Sequence, residues 1–170
     1  VALAMLADPG RNVLLPDPGY PCNRNFVEAV DATPRAVRVD AGSDYQLTPG
    51  LAAAACDERT AAMLVGSPGN PTGTLASSAD LAGLAALGQR RGIGLIVDEI
   101  YHGLHYDGAP AQALAHAPDA IVVNSFSKYF GMTGWRLGCM VVPADWVPFA
   151  EQLLQTLFIS ASTPAQYAAL

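Results

Sequence analysis

Short, continuous apolar runs alternate with amphipathic stretches along this chain. Ala61 to Val65, Ile93 to Val97, Ala120 to Val123 and Leu137 to Val142 are apolar throughout, and Asn12 to Leu15 is a shorter run of the same kind. Runs of this length, free of polar alternation, predict strands buried on both faces of a sheet. Arg35 to Val39 instead alternates charged and apolar positions, the pattern of a strand near a sheet edge. Between the runs lie predicted helices. Residues 1–7 read as the end of one, stopped by Asp8-Pro9-Gly10, and a second is expected from Asn23 to Val30. Thr48-Pro49 opens another through Cys56, with proline in the first turn. Ser77-x-x-Asp80 has capping-box form ahead of Leu81, Leu84, Ala85 and Leu87, and that helix closes on Arg90-Arg91-Gly92. A last helix is predicted from Ala144 onward. Strands alternating with helices imply βαβ units and an α/β fold: a mostly parallel sheet covered by helices on both sides.

Composition narrows the function. The 170 residues fit a single domain with a core that needs no disulfide or metal staples. A hydrophobic share of 51% against 14% charged excludes intrinsic disorder. Nine basic against fifteen acidic residues leave a net charge of −6 and no basic stripe, so nucleic acid is not an expected partner. Such sparse charge predicts a surface partly covered by a second subunit or by further chain. No run of about twenty apolar residues forms a membrane span. The opening Val-Ala-Leu-Ala-Met-Leu-Ala lacks the basic leader of a signal peptide. Cys22, Cys56 and Cys139 are an odd count without paired spacing, expected to be reduced, at least half-buried structural thiols of a cytoplasmic protein.

In parallel sheets ligands sit outside the carboxyl ends of the strands. The segments there are Gly66 to Gly73, Asp98 to Tyr101, and Asn124 to Lys128. Together they bring an amide, a carboxylate, a phenol, hydroxyls and an amine to one rim, the groups that pyridoxal phosphate chemistry requires. Lys128 is the only lysine in the chain and sits in a mostly apolar segment. Asp98 ends a fully apolar strand, where an unpaired carboxylate is costly. Glu99, next along, faces the other way by alternation and reads as structural. His102-x-x-His105 has no further ligand to complete a metal set, and the Gly66–Gly73 stretch lacks the lysine and hydroxyl ending of a P-loop.

Three segments, Ser-Pro-Gly-Asn-Pro-Thr-Gly (67–73), Asp-Glu-Ile-Tyr (98–101) and Ser-Phe-Ser-Lys-Tyr-Phe-Gly-Met-Thr-Gly-Trp-Arg-Leu-Gly (125–138), occur in family order. With them the sequence resembles the fold-type I, class I/II aminotransferases from Asn12 to the last helix. The resemblance implies a three-layer α-β-α architecture, the large pyridoxal 5′-phosphate-binding domain of such an enzyme. It implies that Lys128 is the catalytic Schiff-base lysine and that Asp98 pairs with the pyridinium nitrogen, keeping it protonated as an electron sink. It assigns Tyr101 and Asn70 to the ring oxygen, with a cis Asn70–Pro71 bond. Ser125 and Arg136, with Ser127 less firmly, go to the phosphate. Tyr20, in Pro18-Gly19-Tyr20-Pro21, becomes the aromatic stacked on the ring, against the competing reading of a core tyrosine.

The implied activity transfers an amino group between an amino acid and a 2-oxo acid, in a homodimer. Family chains are considerably longer, so residues 1–170 are expected to be most of the large domain, without the small domain or the N-terminal part. Two other readings share these motifs. One is a C–S β-lyase or related fold-type I enzyme, distinguished by releasing pyruvate and ammonia without an oxo-acid acceptor. The other is an aminotransferase-like sensor domain of a transcription regulator, distinguished by an upstream winged-helix module.

Overall fold

A computed structural model describes residues 1–106 and 108–170. Six strands form one sheet in the order β2-β1-β3-β4-β5-β6. These are β1 (Asn12–Asp17), β2 (Thr33–Arg38), β3 (Thr60–Gly66), β4 (Gly94–Asp98), β5 (Ile121–Ser125) and β6 (Gly138–Val141). All neighbours run parallel except β6, which lies antiparallel to β5. The alternating strand β2 is an outer strand, as its pattern predicts.

Strand alternation divides the apolar runs between two cores. Leu14, Met63, Val65, Leu95, Val97 and Val122 point to one side, where they meet Ala52, Leu81, Leu84, Leu87 and Ala113. Their chain neighbours Val13, Leu15, Ala62, Leu64, Ile96 and Ile121 point to the other and meet Leu3 and Val27. A period of two on a pleated backbone requires this division, and it explains why the strands are apolar without interruption. The first side is covered by α3 (Pro49–Ala55), α4 (Ser78–Arg91) and α5 (Ala113–His116), the second by α1 (Ala2–Leu6) and α2 (Cys22–Glu28). The result is the expected three-layer α-β-α arrangement.

Helix ends follow local chemistry. The Ser77 hydroxyl accepts the Asp80 N–H at 3.0 Å, which satisfies one free donor of the first turn. The Asp80 carboxylate accepts the Ser77 hydroxyl at 2.6 Å, so this is an N-cap with a side-chain clasp. Gly92 ends α4 at φ +65°, a left-handed cap that glycine adopts without steric cost. Thr48 caps α3 through the Leu51 N–H, with Pro49 at the first position.

Some boundaries differ from the sequence pattern. Helix α2 stops at Glu28, two residues early, because Ala29 to Asp31 turn tightly into β2. The expected last helix is split. A 3₁₀ turn at Ala144–Trp146 precedes α6 (Val147–Phe158), and the chain breaks at Ile159 (φ +65°) before α7 (Thr163–Ala168). Short α5 had no periodic signal. The thiols of Cys22 and Cys56 are half-buried as expected, but Cys139 is exposed: it lies on outer strand β6. Among the described residues no helix is long and apolar enough to cross a membrane.

Candidate active site

The carboxyl ends of β1, β3, β4 and β5 open into a cleft of about 360 Å³, and all seven sequence-predicted site residues line it. It sits beside the point where the strand order reverses, between β1 and β3, the position where open α/β sheets leave a crevice.

The loop after β3 is fixed from several sides. The Ser67 N–H donates to the Asp98 carbonyl at 3.0 Å, joining the ends of β3 and β4. The Ser67 hydroxyl accepts the Ala76 N–H, also at 3.0 Å. Buried Gln46 donates from its amide nitrogen to the carbonyls of Gly66 (3.3 Å) and Thr74 (2.9 Å). The loop has the expected cis bond at Asn70–Pro71, a second at Ser67–Pro68, and a third lies across the cleft at Asp17–Pro18. So held, Asn70 donates its side-chain amide to the Tyr101 hydroxyl at 3.3 Å. Asn70 thus has a side-chain partner outside its own turn.

Asp98 is half-buried at the end of β4. Its Oδ1 accepts the Ile100 N–H at 3.0 Å, a local bond of the kind any loop aspartate makes. Among the described residues no cationic side chain lies within ion-pairing distance of it. Burial therefore pushes its carboxyl up, with the Ile100 bond opposing and the neighbouring Glu99 charge adding to the rise. Such a carboxylate is stabilised by an arriving cation.

Lys128 follows β5 and is exposed to the cleft, its Nζ 5.8 Å from the centre of the Tyr101 ring. Ser125, Ser127 and Arg136 gather close by. The Ser125 hydroxyl accepts the Ser127 N–H at 3.1 Å, and its oxygen lies 2.9 Å from that of Ser127 and 3.1 Å from the Leu137 carbonyl. The Thr133 hydroxyl donates to the Ser127 carbonyl at 2.6 Å, and Arg136 donates to the Thr133 carbonyl at 3.0 Å. Arg136 has φ +54°, uncommon for a residue with a Cβ. Its guanidinium has no carboxylate partner among the described residues. Hydroxyls and a guanidinium make this end of the cleft suited to an anion.

Tyr20 is 42% exposed, so it is not a core tyrosine. Contact with the Cys22 thiol pushes its phenol up. Sequence reading missed Gln46, Tyr45, Asn23, Thr72 and Thr133, which also line the cleft. Gln46 acts through backbone carbonyls far along the chain and leaves no motif; Thr72 and Thr133 had a signal, their places within the 67–73 and 125–138 segments. Glu99 faces away from the cleft as alternation predicts, and no metal-binding cluster occurs among the described residues.

The family model "Aminotransferase class I and II" matches residues 1–170. The valine–pyruvate aminotransferase of Mycobacterium tuberculosis is 42% identical over 146 residues, covering 83% of this chain and 37% of that protein. An aminotransferase of known crystal structure from Mycobacterium tuberculosis superposes with a TM-score of 0.92 at 37% identity, over 99% of this chain and 46% of the other. The aspartate aminotransferase of Thermus thermophilus, crystallised with maleate, gives 0.92 at 29% identity, over 98% and 44%. The chain thus spans less than half the length of these relatives. A family match over every residue, on a sheet whose carboxyl edge gathers all three motifs, establishes that this chain belongs to the class I and II aminotransferases.

Proposed function

We propose that the chain is most of the large, cofactor-binding domain of a pyridoxal-phosphate-dependent transaminase, which moves an amino group between an amino acid and a 2-oxo acid. The observation that carries this reading is that the sole lysine and a half-buried carboxylate, without a cationic partner among the described residues, line one cleft. The donor set fits the cofactor end to end: an amine for its aldehyde, a carboxylate for its ring nitrogen, a phenol and amide for its ring oxygen, and hydroxyls with a guanidinium for its phosphate. When bound, pyridoxal phosphate supplies an aldehyde that takes up an amine and a ring that withdraws electrons from the bond being broken.

The chain's own groups do the rest. Lys128 Nζ would hold the aldehyde and, when free of it, would take up the proton leaving the substrate Cα. Asp98 is the anion that keeps a ring nitrogen protonated, and the cation in turn lowers the raised carboxyl. Tyr101 and Asn70, already bonded to each other, hold the oxygen side. Ser125 and Arg136, with Ser127, would bind the phosphate, and Tyr20 would cover the ring. The relatives' printed names, valine–pyruvate and aspartate aminotransferase, support an amino acid and a 2-oxo acid as substrates. Free thiols fit a cytosolic setting. Exposed Tyr129, Phe130 and Trp135 beside Lys128 support a homodimer whose partner covers them.

The test is the acceptor requirement of the full-length protein. A transaminase consumes donor only when an oxo acid is supplied. Release of pyruvate and ammonia without an acceptor replaces this reading with the β-lyase one.

A further inference from the structure

Two carboxylates stand side by side at the end of β4, and only Asp98 faces the cleft. Glu99 points to the opposite face and is 8% exposed. Its Oε1 accepts the N–H of Ala113, the fully buried first residue of α5, at 2.7 Å. Its Oε2 lies 3.5 Å from His102 Nδ1. One side chain thereby joins the end of β4 to the start of α5, 14 positions further on. Tyr101 is carried within the segment so clasped.

The near end of that segment is a tight turn. The His102 N–H donates to the Glu99 carbonyl at 2.9 Å, and the Leu104 N–H to the Tyr101 carbonyl at 3.0 Å. Gly103 adopts φ +92°, and a Cβ there would lie 2.4 Å from the ring of Tyr129, the residue after Lys128. The turn is thus pressed on the lysine segment at one point and fastened to α5 through Glu99 at another. Its only side chain reaching the Asn70 amide is Tyr101. A neutral apolar residue in place of Glu99 would leave the buried Ala113 N–H without a partner and free the turn.

We propose that Glu99 is a positioning residue: its buried carboxylate fixes the turn that presents the Tyr101 phenol to the cofactor's oxygen side. The assignment rests on the cofactor reading above. The charged or titratable groups next to it among those described are Asp98, on the far face, and His102.

The experiment uses the full-length protein as wild type, Glu99→Gln, Glu99→Ala, Tyr101→Phe and the double variant Glu99→Ala with Tyr101→Phe. Amide hydrogen exchange without cofactor reads the turn. Glu99→Ala speeds exchange of residues 100–105 by about tenfold or more while 61–65 stay protected. Glu99→Gln, which keeps an oxygen for the Ala113 N–H, restores protection. With pyridoxal phosphate added, the pH midpoint of the bound cofactor's visible band is the second readout. Glu99→Ala moves it in the same direction as Tyr101→Phe, on the order of one pH unit, and the double variant moves it no further.

Unchanged exchange in Glu99→Ala overturns the proposal. So does a midpoint that is unmoved, or a shift that adds to that of Tyr101→Phe. If Glu99→Ala does not fold, Glu99→Asp, too short to reach Ala113, carries the same expectations. A wild type without any visible band defeats the cofactor reading instead, and the exchange result then decides alone whether Glu99 fixes the turn.

Discussion

Lys128 and Asp98 need opposite environments, and the cleft supplies both. The amine is open to the cleft, while the carboxylate is half-buried with a single backbone donor. Reduction with borohydride in the presence of pyridoxal phosphate is expected to fix the cofactor to Lys128 in the full-length protein, and Lys128→Ala to abolish the labelled peptide in mass spectrometry. A label on another residue, or none in the wild type, removes the enzymatic reading. Asp98 gives a separable effect. Asp98→Asn keeps shape and hydrogen bonding but loses the anion, so turnover is expected to fall by about a hundredfold or more with the Lys128 adduct retained. Steady-state rates beside the adduct yield check this, since loss of both together means that Asp98 only supports folding.

At the scale of elements, the site depends on loops tied to strands. Asp57, between α3 and β3, shows how the opposite end of the sheet is held. Its carboxylate accepts the Asn12 amide at 2.8 Å and the Arg59 N–H at 2.9 Å, and pairs with Arg35. The Asn12 bond is the largest cause that lowers its carboxyl, from 3.8 to about 2. A carboxyl lowered on folding contributes stability that is complete above 3.8 and is lost as pH falls toward about 2. Asp57→Asn is therefore expected to flatten the dependence of Tm on pH within that window, while leaving its shape above pH 5 unchanged. Thermal melts across pH measure this, and an unaltered acid limb refutes it.

At the scale of the molecule, the surface is uneven. Tyr129, Phe130 and Trp135 are 56%, 59% and 47% exposed, and the Tyr129 and Phe130 rings meet edge-on at 5.1 Å. Phe149, Leu157 and Phe158 of α6 are exposed as well. Sparse charge and open aromatics on one chain support the homodimer proposed above. Phe130→Asp in the full-length protein is expected to shift a dimer toward monomer in sedimentation velocity. A wild type that sediments as a monomer at all concentrations contradicts the homodimer.

Much of this was legible in the sequence because it is local. Uninterrupted apolar runs mark strands covered on both sides, and the stop at each run's end marks where polar chemistry emerges. Ser77 and Gly92 bracket α4 through bonds within one turn, so their signals survive without the fold. Each of the three motifs is one continuous stretch at the end of a strand, and the seven residues chosen from them and from the Tyr20 segment share one cleft. What the sequence could not decide depends on distant partners. Gln46 serves the site by reaching Gly66 and Thr74, and Glu99 by reaching Ala113, contacts set by how β3, β4 and α5 pack. The exposure of Cys139 depends on β6 being outermost, and the break at Ile159 on a backbone turn without a motif. The sequence alone determined the fold class and the chemical groups at the strand ends, because periodicity and turn residues act over a few positions. Tertiary structure alone decided which carboxylate is left without a cationic partner among the described residues and which side chains hold the loops in place, because burial and hydrogen bonding are properties of neighbours brought together by folding.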